Sequence, residues 1–186
     1  MEWVKDDKAV PKTIQDCYFN PIRLLSLQSR QSAAYKGIMA LILKNHCKDF
    51  ISGREMDFAV FNSENPDIHH IFPKSYCEKN GLPYLKWNSV INKTPITYST
   101  NREIGGVAPS KYLQKIESDG QADTQTINEY LKSHLIDVTS IRADDFDNHI
   151  ISRAKMLLKA IEDATGKTIS GKDSEDVIKE FGAALI

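Results

Sequence analysis

The sequence predicts an α+β fold, in which helical stretches at both ends of a 186-residue chain enclose one short strand–loop–strand–helix insert. Three observations carry this. The run SAAYKGIMALILKNHC is apolar around most of its circumference and sets Tyr35, Ile38, Met39 and Ile42 at helical spacing, the pattern of a central core helix. The run DDFDNHIISRAKMLLKAIEDATG sets Phe146, Ile150, Ile151, Ala154, Leu157, Leu158 and Ile161 on one helix face, with acids at its start and Gly166 after its end. Between them, DIHHIF and NSVINKTPIT have the length and apolar content of short strands and are bounded by prolines and turn residues.

Each element follows in order. NPIRLLSLQS opens on Asn20–Pro21, a helix-start signal. The core helix comes next, and KDFISGREMDFAVFNSENP then breaks at Ser52–Gly53 and runs as a loop to Pro66. DIHHIF is the first strand and Pro73 ends it. KSYCEKNGLPYLKW, with Asn80–Gly81 and Pro83, reads as a loop. NSVINKTPIT supplies the second strand. In STNREIGG, Thr100 and Glu103 have capping-box spacing and Gly105–Gly106 stop the helix, which puts Asn101 in its first turn. APSKYLQKIESDG, DTQTINEYLKSHL, the long amphipathic run and SEDVIKEFGAAL are four further helices. The parts are 1–60, 61–118 and 119–186, expected to form one compact unit with no internal repeat.

Composition narrows the function classes. A hydrophobic content of 41% and a charged content of 26% describe a globular chain rather than a disordered one. No apolar run has transmembrane length and no signal peptide precedes the fold, so no membrane partner is expected. Cys17, Cys47 and Cys77 are odd in number and widely spaced, which is no disulfide framework and suits a reducing cytoplasm. Neither glycine-rich phosphate-binding pattern occurs, so no nucleotide site is expected within the chain. The net charge of −1 is unevenly spread. Lys74 to Lys115 holds seven basic and two acidic residues, a local +5, whereas Ile116 to Ile186 holds eight basic and fourteen acidic ones. A polyanion contact would fall on the first of these segments.

The adjacent pair His69–His70 is the chemical signal. On a strand the two imidazoles point to opposite faces, and Asp67 shares the face of His69. Imidazole, carboxylate and amide oxygen together can hold a divalent cation, while a neutral imidazole serves as a base near pH 7. Phosphodiester hydrolysis needs both. A structural zinc site joining Cys77 to His69 is the competing reading of the same residues and lacks paired ligand spacing. His46, His134 and His149 lie on helical patterns and read as structural, and Trp3 and Trp87 read as packing residues.

DIHHIFP, followed by NKTPITYSTNR and IGGVAPSKYL, resembles the HNH nuclease domain of the GmrSD-type, modification-dependent (type IV) restriction endonucleases, members of the His-Me finger (ββα-metal) superfamily. The resemblance covers roughly residues 53–117. It implies a mostly helical domain with an embedded ββα-metal motif and a metal-dependent DNA endonuclease activity in defence against foreign or modified DNA. It implies His70 as general base, His69 and Asn101 as metal ligands, and Asn92 as the residue that braces the loop, with Asn88 as its competitor. Asp67, on the strand face of His69, is a further candidate ligand or else a strand-edge aspartate. The basic segment itself offers Lys74, Arg102 and Lys111 as DNA contacts, with solvated or ion-paired surface charges as the alternative. The metal is expected to be Mg²⁺ or Mn²⁺. Because His69 stands where other branches carry aspartate, Zn²⁺ and Ni²⁺ are alternatives. The resemblance also implies a nucleotide-hydrolysing sensor domain or chain as partner, with this chain as the C-terminal nuclease part of a longer protein or as a stand-alone relative. The alternative is a catalytically silent DNA-binding or protein-interaction module built on the same finger.

Overall fold

The computed structural model describes residues 10–56 and 67–186, and within them the fold is α+β, with a two-stranded antiparallel sheet among helices. Three helices come first: α1 (Lys12–Gln15), α2 (Arg23–Ser26) and α3 (Ala33–Lys44). Ser32 caps α3 by accepting from the Tyr35 N–H, and Tyr35, Ile38, Met39, Ile42 and Leu43 form its buried face. The expected turn after α3 is present, with Gly53 at φ 65°, where a Cβ would collide with the Tyr130 hydroxyl. The rest of the expected loop to Pro66 lies outside the described residues.

Strand β1 (Asp67–His70) pairs with β2 (Lys93–Ile96) so that His69 faces Thr94 and His70 faces Lys93. The connection between them is more helical than the sequence suggests. It contains α4 (Lys74–Lys79), α5 (Tyr84–Trp87) and a 3₁₀ turn, Val90–Asn92. Pro73 and Pro83 stand directly before α4 and α5, so they start these helices rather than interrupt them. Pro95 is tolerated in β2 because a two-stranded sheet has only edge strands.

Helix α6 (Tyr98–Ile104) follows β2 at once. Its cap is Thr97, whose hydroxyl accepts from the Thr100 N–H, and not the Thr100–Glu103 box expected from sequence. Asn101 is therefore the fourth residue of the helix. Then come α7 (Pro109–Ser118), α8 (Thr124–Ser133), α9 (Val138–Arg142), α10 (Phe146–Thr165) and α11 (Glu175–Phe181). Helix α9, five residues long and capped by Asp137, is too short to leave a periodic signal.

The core forms where α10 packs on α3 and on the 3₁₀ turn, with Ile42, Val90, Ile91, Ile150, Ala154 and Leu157 fully buried. All four residues of β2 are buried. From α10, Arg153 reaches the sheet: its Nη2 donates to the Lys93 carbonyl at 3.0 Å. The guanidinium is fully buried, and desolvation pulls its pKa down to about 9, which still leaves it charged near neutrality.

Two buried histidines join the parts electrically neutral. His134 Nε2 donates to the Lys48 carbonyl at 2.7 Å, and the Thr94 hydroxyl donates to its Nδ1 at 2.6 Å. Burial drops its pKa to about 3, and burial beside Arg153 holds His149 well below the usual imidazole value. Both folded values lie below the unfolded one, so the unfolded chain binds more protons below pH ~6.5. The stability they contribute is complete above that pH and is lost as pH falls. Between pH 7.5 and 5.5 the urea midpoint should drop, each histidine costing up to ~1.4 kcal/mol per pH unit below ~6.5. A midpoint unchanged over that range contradicts the assignment of both as buried and neutral.

Candidate active site

The site grows from the end of β1. The carboxamide of Asn92, fully buried in the 3₁₀ turn, accepts the Phe72 N–H at 2.8 Å and donates to the Phe72 and Trp87 carbonyls, each at 2.9 Å. The Ile71 N–H donates to the Asn92 carbonyl at 2.9 Å and extends the strand ladder by one bond. From the other side the Tyr112 hydroxyl donates to the Ile71 carbonyl at 3.0 Å. The chain that leaves the two histidines is thus held at both its polar edges.

His69 is 3% exposed and lies edge-on to the rings of Phe50 and Tyr112. Its Nδ1 is 2.8 Å from Asn101 Oδ1, a hydrogen bond across 32 residues of sequence. Helix α6, which carries Asn101, is clamped by a residue from outside the insert. The buried carboxylate of Asp49 accepts from the Thr97 N–H at 2.8 Å and the Thr100 hydroxyl at 2.6 Å, and also from both N–H groups and the hydroxyl in Ile51–Ser52. Burial alone would push the Asp49 pKa up, but these donors outweigh it and hold the carboxyl below its usual value.

His70 lies on the opposite strand face, against the Trp87 ring, with Nε2 3.3 Å from Asn88 Oδ1. Burial pulls its pKa below the usual imidazole value; the Asn88 hydrogen bond opposes this, and the charges of Lys93 and Lys74 add to it. The ring is neutral at pH 7, the state a general base requires.

A cleft of about 350 Å³ opens here, lined by His69, His70, Asn101, Lys74, Glu78 and Gly106 among others. The Ser75 hydroxyl donates to the Gly106 carbonyl at 2.8 Å and ties the α6–α7 turn to α4. The residues expected from sequence therefore divide. His69, His70, Asn101 and Lys74 meet in the cleft. Asn92 stands behind it, in the backbone scaffold. Asp67 occupies the first position of β1, but its side chain lies outside the described residues. Arg102 is exposed on α6, with its guanidinium over the Tyr98 ring, and Lys111 is exposed on α7; neither lines the cleft. The basic segment is also smaller than its residue count suggests. Lys93 is buried, its Nζ donating to the Gln28 carbonyl at 3.0 Å and its pKa lowered to about 8 by burial, and Lys86 is largely covered and pairs with Asp147. Neither is available to a phosphate.

The donor set bears on a metal. No group of three or more His, Cys, Asp or Glu that could hold an ion occurs among the described residues. What the cleft offers is the neutral pair His69 and Asn101. Their 2.8 Å separation is near the ~3 Å between adjacent ligands of a six-coordinate ion with bonds of ~2.1 Å. The pair fits two ligand positions of a divalent cation that takes its remaining ligands from elsewhere. Cys77 does not join it: its thiol is buried, donates to the Phe72 carbonyl at 3.3 Å, and has its pKa pushed up to about 12 by burial, which disfavours the thiolate that zinc needs. Sequence reasoning missed Asn88 as a partner of His70, Asp49 as the clamp on α6, and Glu78 on the cleft wall.

No family model matches the sequence, and no solved structure matches it. One curated protein similar to it, from the archaeon Methanocaldococcus jannaschii, is described as uncharacterized protein MJ0686. The two are 30% identical over 146 residues, which is 73% of this chain and 24% of that protein. The chain thus spans about a quarter of the length of the relative it matches.

Removing the Asn92 carboxamide leaves the Phe72 amide and the Trp87 carbonyl without partners in a dry interior, and leaves the Phe72 carbonyl only the Cys77 thiol. Asn92→Ala should cost ~2–4 kcal/mol in urea unfolding, since each buried group left unsatisfied costs ~1–3 kcal/mol. A loss under ~1 kcal/mol would mean that water replaces the amide at no cost.

Proposed function

We propose that this chain is the HNH nuclease domain of a GmrSD-type restriction system, a ββα-metal finger that hydrolyses DNA phosphodiesters with His70 as general base. The observation that carries this reading is the 2.8 Å contact of His69 with Asn101, made between the histidine-bearing strand and the helix that follows its partner strand. The neutral imidazole of His70 takes a proton from water as that water attacks phosphorus. Lys74, on the cleft wall, balances the phosphate charge. His69 and Asn101, with Asp67 as a further ligand, would hold a divalent cation, which would supply stabilisation of the charge on the phosphate and the leaving oxygen. The two described ligands are neutral, so a substrate phosphate adds the negative charge that strengthens the site. Modified or foreign DNA as the target, a nucleotide-hydrolysing sensor as partner and the cytoplasm as location belong to the same reading. No helix among the described residues is long and apolar enough to cross a membrane.

The test is nicking of plasmid DNA with Mg²⁺ or Mn²⁺, abolished by chelator. His70→Ala should cut the rate by ~10²–10⁴-fold with folding and DNA binding nearly intact. Cleavage by a folded His70→Ala protein at the wild-type rate would remove the assignment.

Metal binding has a separate readout. Mn²⁺ titrated calorimetrically should bind weakly to the free protein and more tightly with a DNA duplex present. Asn101→Ala should lose the second effect together with nicking, while His69→Asp should keep some activity and shift preference toward Mg²⁺. Equal Mn²⁺ affinity of wild type and Asn101→Ala on DNA would leave Asn101 a mere helix residue.

DNA affinity should fall steeply with salt, and charge reversal at Lys74, Arg102 and Lys111 should weaken binding to all sequences alike and flatten the salt slope. A larger loss on reversal of lysines in α10 would put the DNA on another face.

A further inference from the structure

The second imidazole of the cleft has a partner of its own. Asn88, at the end of α5, presents Oδ1 to His70 Nε2 at 3.3 Å. The amide is itself oriented. Its Nδ2 donates to the Tyr84 hydroxyl at 2.9 Å and to Gln28 Oε1 at 3.4 Å. With Nδ2 placed toward Gln28 Oε1 and the Tyr84 oxygen, the amide oxygen lies on the side of His70. The backbone that carries Gln28 is held in turn, because its carbonyl receives Lys93 Nζ at 3.0 Å and the neighbouring Leu27 carbonyl accepts the Val90 N–H at 2.8 Å. Trp87 packs edge-on to both His70 and Tyr84, so the imidazole cannot swing away from the amide without disturbing that ring stack.

An imidazole whose Nε2 faces a carbonyl oxygen carries its proton there and keeps its lone pair on Nδ1. We propose that Asn88 is a positioning residue for His70: it holds the ring as the Nε2–H tautomer and so makes Nδ1 the nitrogen that accepts the proton of the attacking water. The proposal rests on the nuclease reading for its catalytic meaning, but the tautomer is a property of the folded protein alone. Tyr84 and Gln28 act one step further back, by deciding which end of the Asn88 amide faces His70.

The experiment records long-range ¹H–¹⁵N correlations of the histidine rings in ¹⁵N-labelled protein at pH 8, with His70→Ala used to assign the His70 signals. Wild type should show His70 as the Nε2–H tautomer. Asn88→Ala should give a mixture, whereas Asn88→Asp, which still offers an oxygen, should keep Nε2–H. Tyr84→Phe combined with Gln28→Ala, which leaves Asn88 in place and removes only the groups that orient it, should move the ring in the same direction as Asn88→Ala. In plasmid cleavage Asn88→Ala should lower kcat by roughly 10- to 100-fold with KM within about twofold, and Asn88→Asp should restore most of the rate. A wild-type ring protonated on Nδ1, or an Asn88→Ala protein that keeps Nε2–H, overturns the proposal. Absence of cleavage by the wild-type protein sinks the nuclease reading alone, and the tautomer measurement still decides on Asn88.

Discussion

The buried Asn92 carboxamide is the constraint on which the cleft depends. One side chain satisfies three backbone groups, on Phe72 and Trp87, at a point where the chain has left β1 and cannot yet enter α4. Backbone polar groups in a dry interior need partners, and no regular element supplies them there. A shorter polar residue would not reach both segments. With the amide in place, the exit of β1 and the entry to β2 are tied to each other, and the positions of His69 and His70 follow from strand alternation alone.

Two longer ties fix the remaining members. Asp49 holds the first turn of α6 and so sets where Asn101 meets His69. Arg153 holds the Lys93 carbonyl and so sets β2 against α10. Both are charged groups in the interior, and they differ in kind. Asp49 has its lone pairs filled by five donors and is the more stable as an anion for it. Arg153 makes one such bond, and its Nε and Nη1 have no hydrogen-bond partner among the described residues, so it gives up more of its hydration to stay there. Two ionic side chains thus tie the insert to the rest of the fold, Asp49 through the start of α6 and Arg153 through β2.

Much of this was legible in the sequence. The α+β class, the core face of α3, the apolar face of α10 and both short strands followed from spacing, because burial on one face writes a period into the residues. The His69–Asn101 meeting was implied by the family resemblance, which makes both residues ligands of one ion, and not by periodicity. What failed had physical reasons. Pro73 and Pro83 were read as breaks because a proline that begins a helix and one that ends a strand look alike without the residues after it. The Thr100–Glu103 spacing suggests a cap, but Asp49, 48 residues before Thr97, takes up the Thr100 hydroxyl and the Thr97 N–H, and the Thr97 hydroxyl caps α6 instead. Counting Lys93 among the free cations failed because charge in a sequence carries no burial. Asn88 escaped because its value to His70 depends on how α5 returns the chain to the strand, and no local pattern encodes that return.

The bond from Arg153 to Lys93 spans sixty residues, and it bears on how the cleft comes into being. A ribosome releases the chain from its N-terminus. When α7 has emerged, every residue of the cleft has been made, yet the helix that covers β2 and supplies Arg153 is still unsynthesised. At that stage the Lys93 carbonyl lacks its Arg153 partner, and the apolar faces of α3 and of the 3₁₀ turn still await α10. The ties that set the histidines against Asn101, through Asn92 and Asp49, lie wholly in the part already made. What α10 adds is the cover behind the cleft and no group within it.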